Sequence, residues 1–146
     1  MNKKMFLGSV VSFAAAFMCV ACMGVVLLDL GVLNMTESSL QGSDGLGMAI
    51  IFSLAVSIQY PVMVVALLLQ VLVGILLLLH SIRGGTVHIA WIVLNMIGCV
   101  LAAAAGGFFA VCYFDIGIVL WGSLTLCAAA LSFFSGLVAI FTNRED

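Results

Sequence analysis

Charged side chains are scarce in this chain. They make up 7% of its 146 residues, against about 25% in soluble globular proteins. Four Lys or Arg and six Asp or Glu are too few to give a 15.3 kDa particle the charged surface that keeps a protein in water. The composition therefore excludes a soluble enzyme, a nucleic-acid-binding protein and a disordered chain. Because 66% of the residues are apolar, we expect an integral membrane protein.

Four long apolar runs account for most of the sequence. They lie at about residues 5–28, 61–79, 87–112 and 117–141, and each is close to the roughly 20 residues that a helix needs to cross a bilayer. None alternates apolar and polar residues, as a barrel strand would. The sequence therefore predicts an all-α membrane protein: a single domain over residues 1–146, folded as a four-transmembrane-helix bundle.

The segment before the second span allows two interpretations. The apolar stretch from Gly47 to Leu79 is longer than one crossing needs, and the only proline, Pro61, divides it. Within the predicted outer segment 29–60, Gly47–Ile58 is either a short separate helix at the outer surface or the start of one long second helix kinked at Pro61. The sequence leaves both open.

Basic residues are absent from one side of the predicted bundle. A four-span topology places all four Lys and Arg on the other side. These residues are Lys3, Lys4, Arg83 and Arg144. Because Lys and Arg are retained in the cytoplasm, we expect both termini to be cytoplasmic in a multi-pass protein of the cell membrane.

The first span has a competing interpretation as a cleaved signal peptide. Cys19-Val20-Ala21-Cys22 resembles a bacterial lipoprotein cleavage box, although Cys19 stands where leucine is usual. The apolar run continues past Cys22 to Leu28, which favours a retained helix.

Small residues recur at four-residue spacing in three of the spans. In lipid, such stripes mark the faces where helices pack closely. The predicted packing residues are Gly8, Ser12 and Ala16 in the first span, Gly98, Ala102 and Gly106 in the third, and Ala128, Ser132 and Gly136 in the fourth. The second span is rich in leucine, so we expect it to be more exposed to lipid or to another protein.

Two amide side chains, Gln70 and Asn95, fall inside spans. In a hairpin centred near Arg83 and Gly84, Gln70 lies level with residues 97–99, so Asn95 is within about one turn. We expect this intramembrane polar pair to form a hydrogen bond, because bare amides are costly in hydrocarbon. The alternative is that either amide lines a polar path.

No Asp, Glu, Lys or Arg lies well inside a span. The chain is similar in size and span number to the small four-helix multidrug exporters, which carry a membrane-embedded Glu in their first helix. Here the first helix has no acidic residue before Asp29 at its outer end, so the similarity transfers no functional residue.

Cys19-x-x-Cys22 resembles the cysteine pair of four-helix membrane thiol oxidoreductases. Those enzymes use further cysteines, typically in an outer loop, and residues 29–46 contain none. We therefore expect the two cysteines to be packing residues, and we predict no catalytic, metal-binding or cofactor-binding site. His80 and His88, with Arg83 between them, are either ordinary interfacial residues or a small patch that meets anionic headgroups.

The favoured function is that of an accessory subunit or scaffold of a membrane complex, acting through helix–helix contacts. Its expected partners are the lipid bilayer and either another membrane protein or further copies of the chain. The alternative is an oligomeric small-molecule transporter or channel, and the third possibility is a thiol oxidoreductase using Cys19 and Cys22.

Overall fold

The computed structural model describes residues 3–34, 54–115 and 119–143, and the described residues form helices joined by one short turn. The elements are α1 (Lys3–Asn34), a π-helical turn (Ala55–Gln59), α2 (Tyr60–Arg83), α3 (Ile89–Asp115) and α4 (Val119–Thr142).

Four helical segments are long and apolar enough to cross a membrane. They are Lys3–Val25, Ser57–Arg83, Ile89–Asp115 and Val119–Thr142. At about 1.5 Å per residue, even the shortest exceeds the roughly 30 Å of a bilayer's hydrocarbon core. The prediction of an all-helical protein with four potential membrane spans is confirmed.

The helices pack side by side in chain order around the bundle. Contacts join α1 to α2, α2 to α3, α3 to α4, and α4 back to α1, so α1 and α3 are diagonally opposed. Cys19 of α1 meets Ser132 of α4, and Cys22 meets Thr125, which shows that these two helices run antiparallel. The start of α1, the end of α2, the start of α3 and the end of α4 therefore share one end of the bundle, called here the Arg83 end.

The second span is buried to the same extent as α3 and less than α1 and α4. The buried share of its most apolar window is 33%, against 33% in α3, 44% in α1 and 39% in α4. The expectation that it is more exposed than the other spans therefore holds against α1 and α4 but not against α3. Val73 and Leu77 are fully buried, and a side-chain carbon added at Gly74 would lie 3.0 Å from the ring of Phe13 on α1. The leucine-rich composition does not distinguish α2 from α3 in burial, because leucine is equally compatible with lipid and with a helix interface.

The chain is already helical before Pro61. The π-helical turn runs directly into α2, with Gln59 in the helical region at φ −66° and ψ −48°. Proline lacks an N–H and its ring clashes with the carbonyl four residues earlier, so a widened turn accommodates it. From Leu54 onward the structure therefore matches a long second helix, while residues 47–53 lie outside the described part. At the other edge of the expected outer segment, α1 continues past Leu28 to Asn34.

A tight turn joins α2 to α3 at the Arg83 end. Gly84 and Gly85 have φ values of 90° and 83°, a left-handed conformation that glycine adopts without steric cost. The Gly84 N–H donates to the carbonyl of His80 at 2.9 Å. Asn143, just after α4, holds this turn against α4 through two hydrogen bonds. The Val87 N–H donates to Asn143 Oδ1 at 2.8 Å, and Asn143 Nδ2 donates to the Val87 carbonyl at 3.0 Å.

Candidate functional site

The structure buries all nine small residues predicted to form packing faces. They are Gly8, Ser12, Ala16, Gly98, Ala102, Gly106, Ala128, Ser132 and Gly136. The glycines lie at close contacts between helices. A carbon added at Gly106 would lie 2.8 Å from Cβ of Ala129 on α4, and one at Gly136 would lie 2.9 Å from Sδ of Met96 on α3.

A cluster of buried polar side chains occupies the bundle interior. This polar cluster consists of Gln70 on α2, Asn95 and Cys99 on α3, and Ser132 and Ser135 on α4. Its centre is the Cys99 thiol, which lies 3.6 Å from Gln70 Nε2, 3.8 Å from Asn95 Oδ1 and 3.8 Å from Ser135 Oγ. Polar contacts therefore join three helices, and the contact between Ser132 Oγ and Cys19 Sγ adds α1.

Gln70 and Asn95 are both fully buried, but they meet through Cys99 instead of bonding to each other. Gln70 Oε1 and Asn95 Nδ2, the acceptor and donor of a direct pair, have no hydrogen-bond partner. The hairpin places Gln70 level with Cys99, one turn beyond Asn95, so the thiol stands between the amides. The expected direct hydrogen bond is therefore replaced by two long contacts to sulfur.

A third unpartnered polar atom, Ser12 Oγ on α1, lies at about the depth of Asn95. Gly8, one turn earlier, packs against Leu77 of α2 and Thr142 of α4, so Ser12 is level with residues near 73 and 138. On α3, Cys99 contacts Ser135 of α4. Because α3 and α4 run antiparallel, Asn95, four residues before Cys99, is level with α4 residues near 139, and therefore with Ser12. A buried polar group without a partner costs about 1–3 kcal/mol, so the polar cluster is not optimised for stability.

The two cysteines of Cys19-x-x-Cys22 face α4 and are 1% exposed. Cys19 Sγ lies 3.3 Å from Ser132 Oγ, and Cys22 Sγ lies 3.6 Å from Thr125 Oγ1. A dithiol that exchanges electrons with a partner needs an accessible sulfur. The geometry therefore favours packing and hydrogen bonding between α1 and α4 over redox exchange.

A second group of polar side chains lies toward the opposite end from Arg83. Gln59 is fully buried; its Oε1 accepts from the Tyr113 hydroxyl at 3.5 Å, and its Nε2 donates to Met63 Sδ at 3.5 Å. The Tyr113 ring packs edge-on against Trp121, with the ring centroids 5.6 Å apart. Nothing local in the sequence indicates that Gln59 lies in a π-helical turn or that its side chain is buried.

Within residues 3–34, 54–115 and 119–143, no three His, Cys, Asp or Glu side chains are grouped to hold a metal ion. No protein-family model, curated protein or solved structure matches the chain.

Proposed function

We propose that this protein is a membrane scaffold or accessory subunit that acts through helix–helix contacts, and that its first contact is with a second copy of itself. The observation that carries the proposal is a row of small and weakly polar residues on the outer face of α4. This α4 ridge consists of Ser123, Cys127 and Ala130, all exposed on the surface of the bundle.

A lipid-facing surface gains nothing from a hydroxyl or a thiol. Residues at i, i+4 and i+7 share one helix face, and small side chains there let another helix approach closely enough to gain dispersion contacts that lipid tails do not match. Exposed Phe133 and Phe134 flank the α4 ridge and provide large side chains to pack around the contact. The ridge therefore has the composition of an interface between two membrane helices.

We expect Cys127 to cross-link two copies. Copies with the same topology pair about a twofold axis along the membrane normal, so each residue near the axis meets its own counterpart. In a protein whose only cysteine is Cys127, mild oxidation in native membranes should give a covalent dimer. The Ser123→Leu/Ala130→Leu variant should lose most of that product on a non-reducing gel.

A protein keeping only Cys112, which is partly buried on α3, is the matched control and should remain monomeric. Equal cross-linking through Cys112 and Cys127 would indicate random collision. A Cys127 protein that stays monomeric under oxidation contradicts the proposal.

We also propose that the protein lies in the cell membrane with both termini in the cytoplasm. This orientation is supported by charge: Lys3 and Arg83 lie at the Arg83 end, and Asp115 lies at the other, which is the bias that cytoplasmic retention of Lys and Arg produces. We expect a phosphatase that is active only outside the cell to be inactive when fused after Asp146, and a fluorescent protein that folds only inside to be bright there. An active phosphatase at that position contradicts this orientation.

The polar cluster supports a second candidate, an oligomeric transporter or channel for small polar molecules. Buried, partly unpartnered polar groups within a membrane are costly and commonly mark a functional path. Three unpartnered atoms within about one helical turn of depth, on Gln70, Asn95 and Ser12, could bind such a molecule. Replacing Gln70 and Asn95 with apolar residues tests this candidate against a purely structural role for the amides.

A further inference from the structure

A cavity of about 660 Å³ opens at the Arg83 end, between the α2–α3 turn and the end of α4. This volume falls within the roughly 300–1,000 Å³ typical of small-molecule sites. Its polar lining comes from His80, Thr86, His88 and Asn143. The same Asn143 side chain fastens Val87 through two hydrogen bonds, so the wall of the cavity is formed before any ligand arrives.

Hydrogen bonds fix the orientation of both imidazoles. The Ala90 N–H donates to His88 Nδ1 at 3.1 Å, so His88 acts as the N-cap of α3 and its neutral ring carries the proton on Nε2. His80 Nδ1 lies 2.8 Å from the Leu76 carbonyl; a carbonyl only accepts, so Nδ1 carries the proton and Nε2 is left as an acceptor. The two rings therefore offer one donor and one acceptor.

The α3 side of the cavity favours an anion. The N-terminus of α3 carries the positive end of a helix dipole, and Ile89 and Trp91 from its first turn line the cavity. Arg83 lies one turn beyond His80 on α2. Among the residues whose side chains the structure describes, the charged ones at this end are Lys3, Lys4 and Arg83, whereas Asp115 lies at the other end.

The position of the cavity indicates a lipid. It lies where three helices long enough to span a membrane end, which is where phospholipid headgroups meet a spanning helix, and Leu76, Val87 and Ile89 provide an apolar wall. Trp91, 42% exposed, is of the residue type that concentrates at this interface.

We propose that the cavity binds the phosphate of an anionic phospholipid whose headgroup also carries a hydroxyl, such as phosphatidylglycerol. His88 Nε2–H donates to a phosphate oxygen, the headgroup hydroxyl donates to His80 Nε2, and the acyl chains extend along the apolar wall into the bilayer.

The test titrates the full-length protein in mild detergent with three probes: dioctanoyl phosphatidylglycerol, dioctanoyl phosphatidylcholine and sodium phosphate. A ligand that binds the folded state raises the unfolding temperature. We expect phosphatidylglycerol to raise it at concentrations at least about tenfold lower than phosphatidylcholine, because the choline headgroup has no hydroxyl and no net charge. An equal response to both lipids overturns the proposal. An equal response to phosphate alone overturns the assignment to a lipid.

The variants separate the cavity from general surface charge. His88→Asn keeps an N-capping side chain but removes the Nε2–H, and His80→Phe keeps an aromatic ring but has no ring nitrogen. Each should weaken phosphatidylglycerol binding about tenfold, whereas Arg83→Gln at the exposed surface should weaken it less. If His88→Asn folds and binds phosphatidylglycerol as the wild type does, the proposal is overturned.

Discussion

Replacing Gly106 with leucine is expected to lower the free energy of unfolding by about 3 kcal/mol or more. A side-chain carbon at this position would lie 2.8 Å from Cβ of Ala129, 3.6 Å from its Cα and 3.5 Å from the Thr125 carbonyl oxygen. These are the backbone and first side-chain atom of α4, so no rotamer change can relieve the clash. The leucine would have to push α3 and α4 apart, breaking the close contact along their interface.

Gly107, the next residue along α3, is the matched control. A carbon added there meets nothing within 4 Å, so Gly107→Leu should leave stability unchanged or raise it slightly, since leucine has the higher helix propensity. Both variants should be unfolded in the same detergent, by heat or by titration with a denaturing detergent. Equal losses in the two variants would show that the close approach at Gly106 is not what holds α3 against α4.

The four helices could be predicted from the sequence because each span depends only on its own composition. About 20 apolar residues in a row have few alternatives to a helix in the membrane. The packing stripes are similarly local, since glycine, alanine and serine at four-residue spacing shape one helix face regardless of its neighbour. Gly106 and Gly136 are examples. The sequence predicts a flat helix surface at each, and the structure shows that Ala129 packs against Gly106 and Met96 against Gly136.

Features that depend on pairs of helices could not be predicted in this way. Val73 and Leu77 are fully buried, yet they look the same in the sequence as Leu68 and Ile82, which face outward. Apolar periodicity separates core from surface in water, but it carries little information where both environments are apolar.

The hydrogen-bond partners of buried polar side chains could not be predicted either, because they depend on the length and conformation of each side chain. Hairpin register places Gln70 near residues 97–99, but it does not reveal that Cys99 stands between Gln70 and Asn95. The two hydrogen bonds between Asn143 and Val87 join residues 56 positions apart, and no motif in the sequence predicts them.

Replacing both central amides with apolar residues of similar size is expected to stabilise the isolated protein. In the double variant Gln70→Met/Asn95→Leu, the unpartnered atoms Gln70 Oε1 and Asn95 Nδ2 are removed. The contacts that disappear with them are long ones to the Cys99 sulfur, at 3.6 and 3.8 Å, and a thiol is a weak donor and acceptor. Since each unpartnered buried group costs about 1–3 kcal/mol, we expect a net gain of about 1–3 kcal/mol in the free energy of unfolding in detergent.

Gln59→Met is the matched control for this experiment. Gln59 is also fully buried, but both of its polar atoms have partners in Tyr113 and Met63. The same substitution there leaves the Tyr113 hydroxyl without its acceptor, so the control should lose stability.

The change in the free energy of unfolding of the double variant distinguishes a functional role of the two amides from a structural one. A stabilised protein would show that Gln70 and Asn95 lower the stability of the bundle, as expected of groups retained for binding or passage of a polar molecule. A destabilised protein would show that the amides hold the bundle together. In that case the transporter candidate loses its main support, and contacts made by the outer surfaces of the helices remain the better explanation of function.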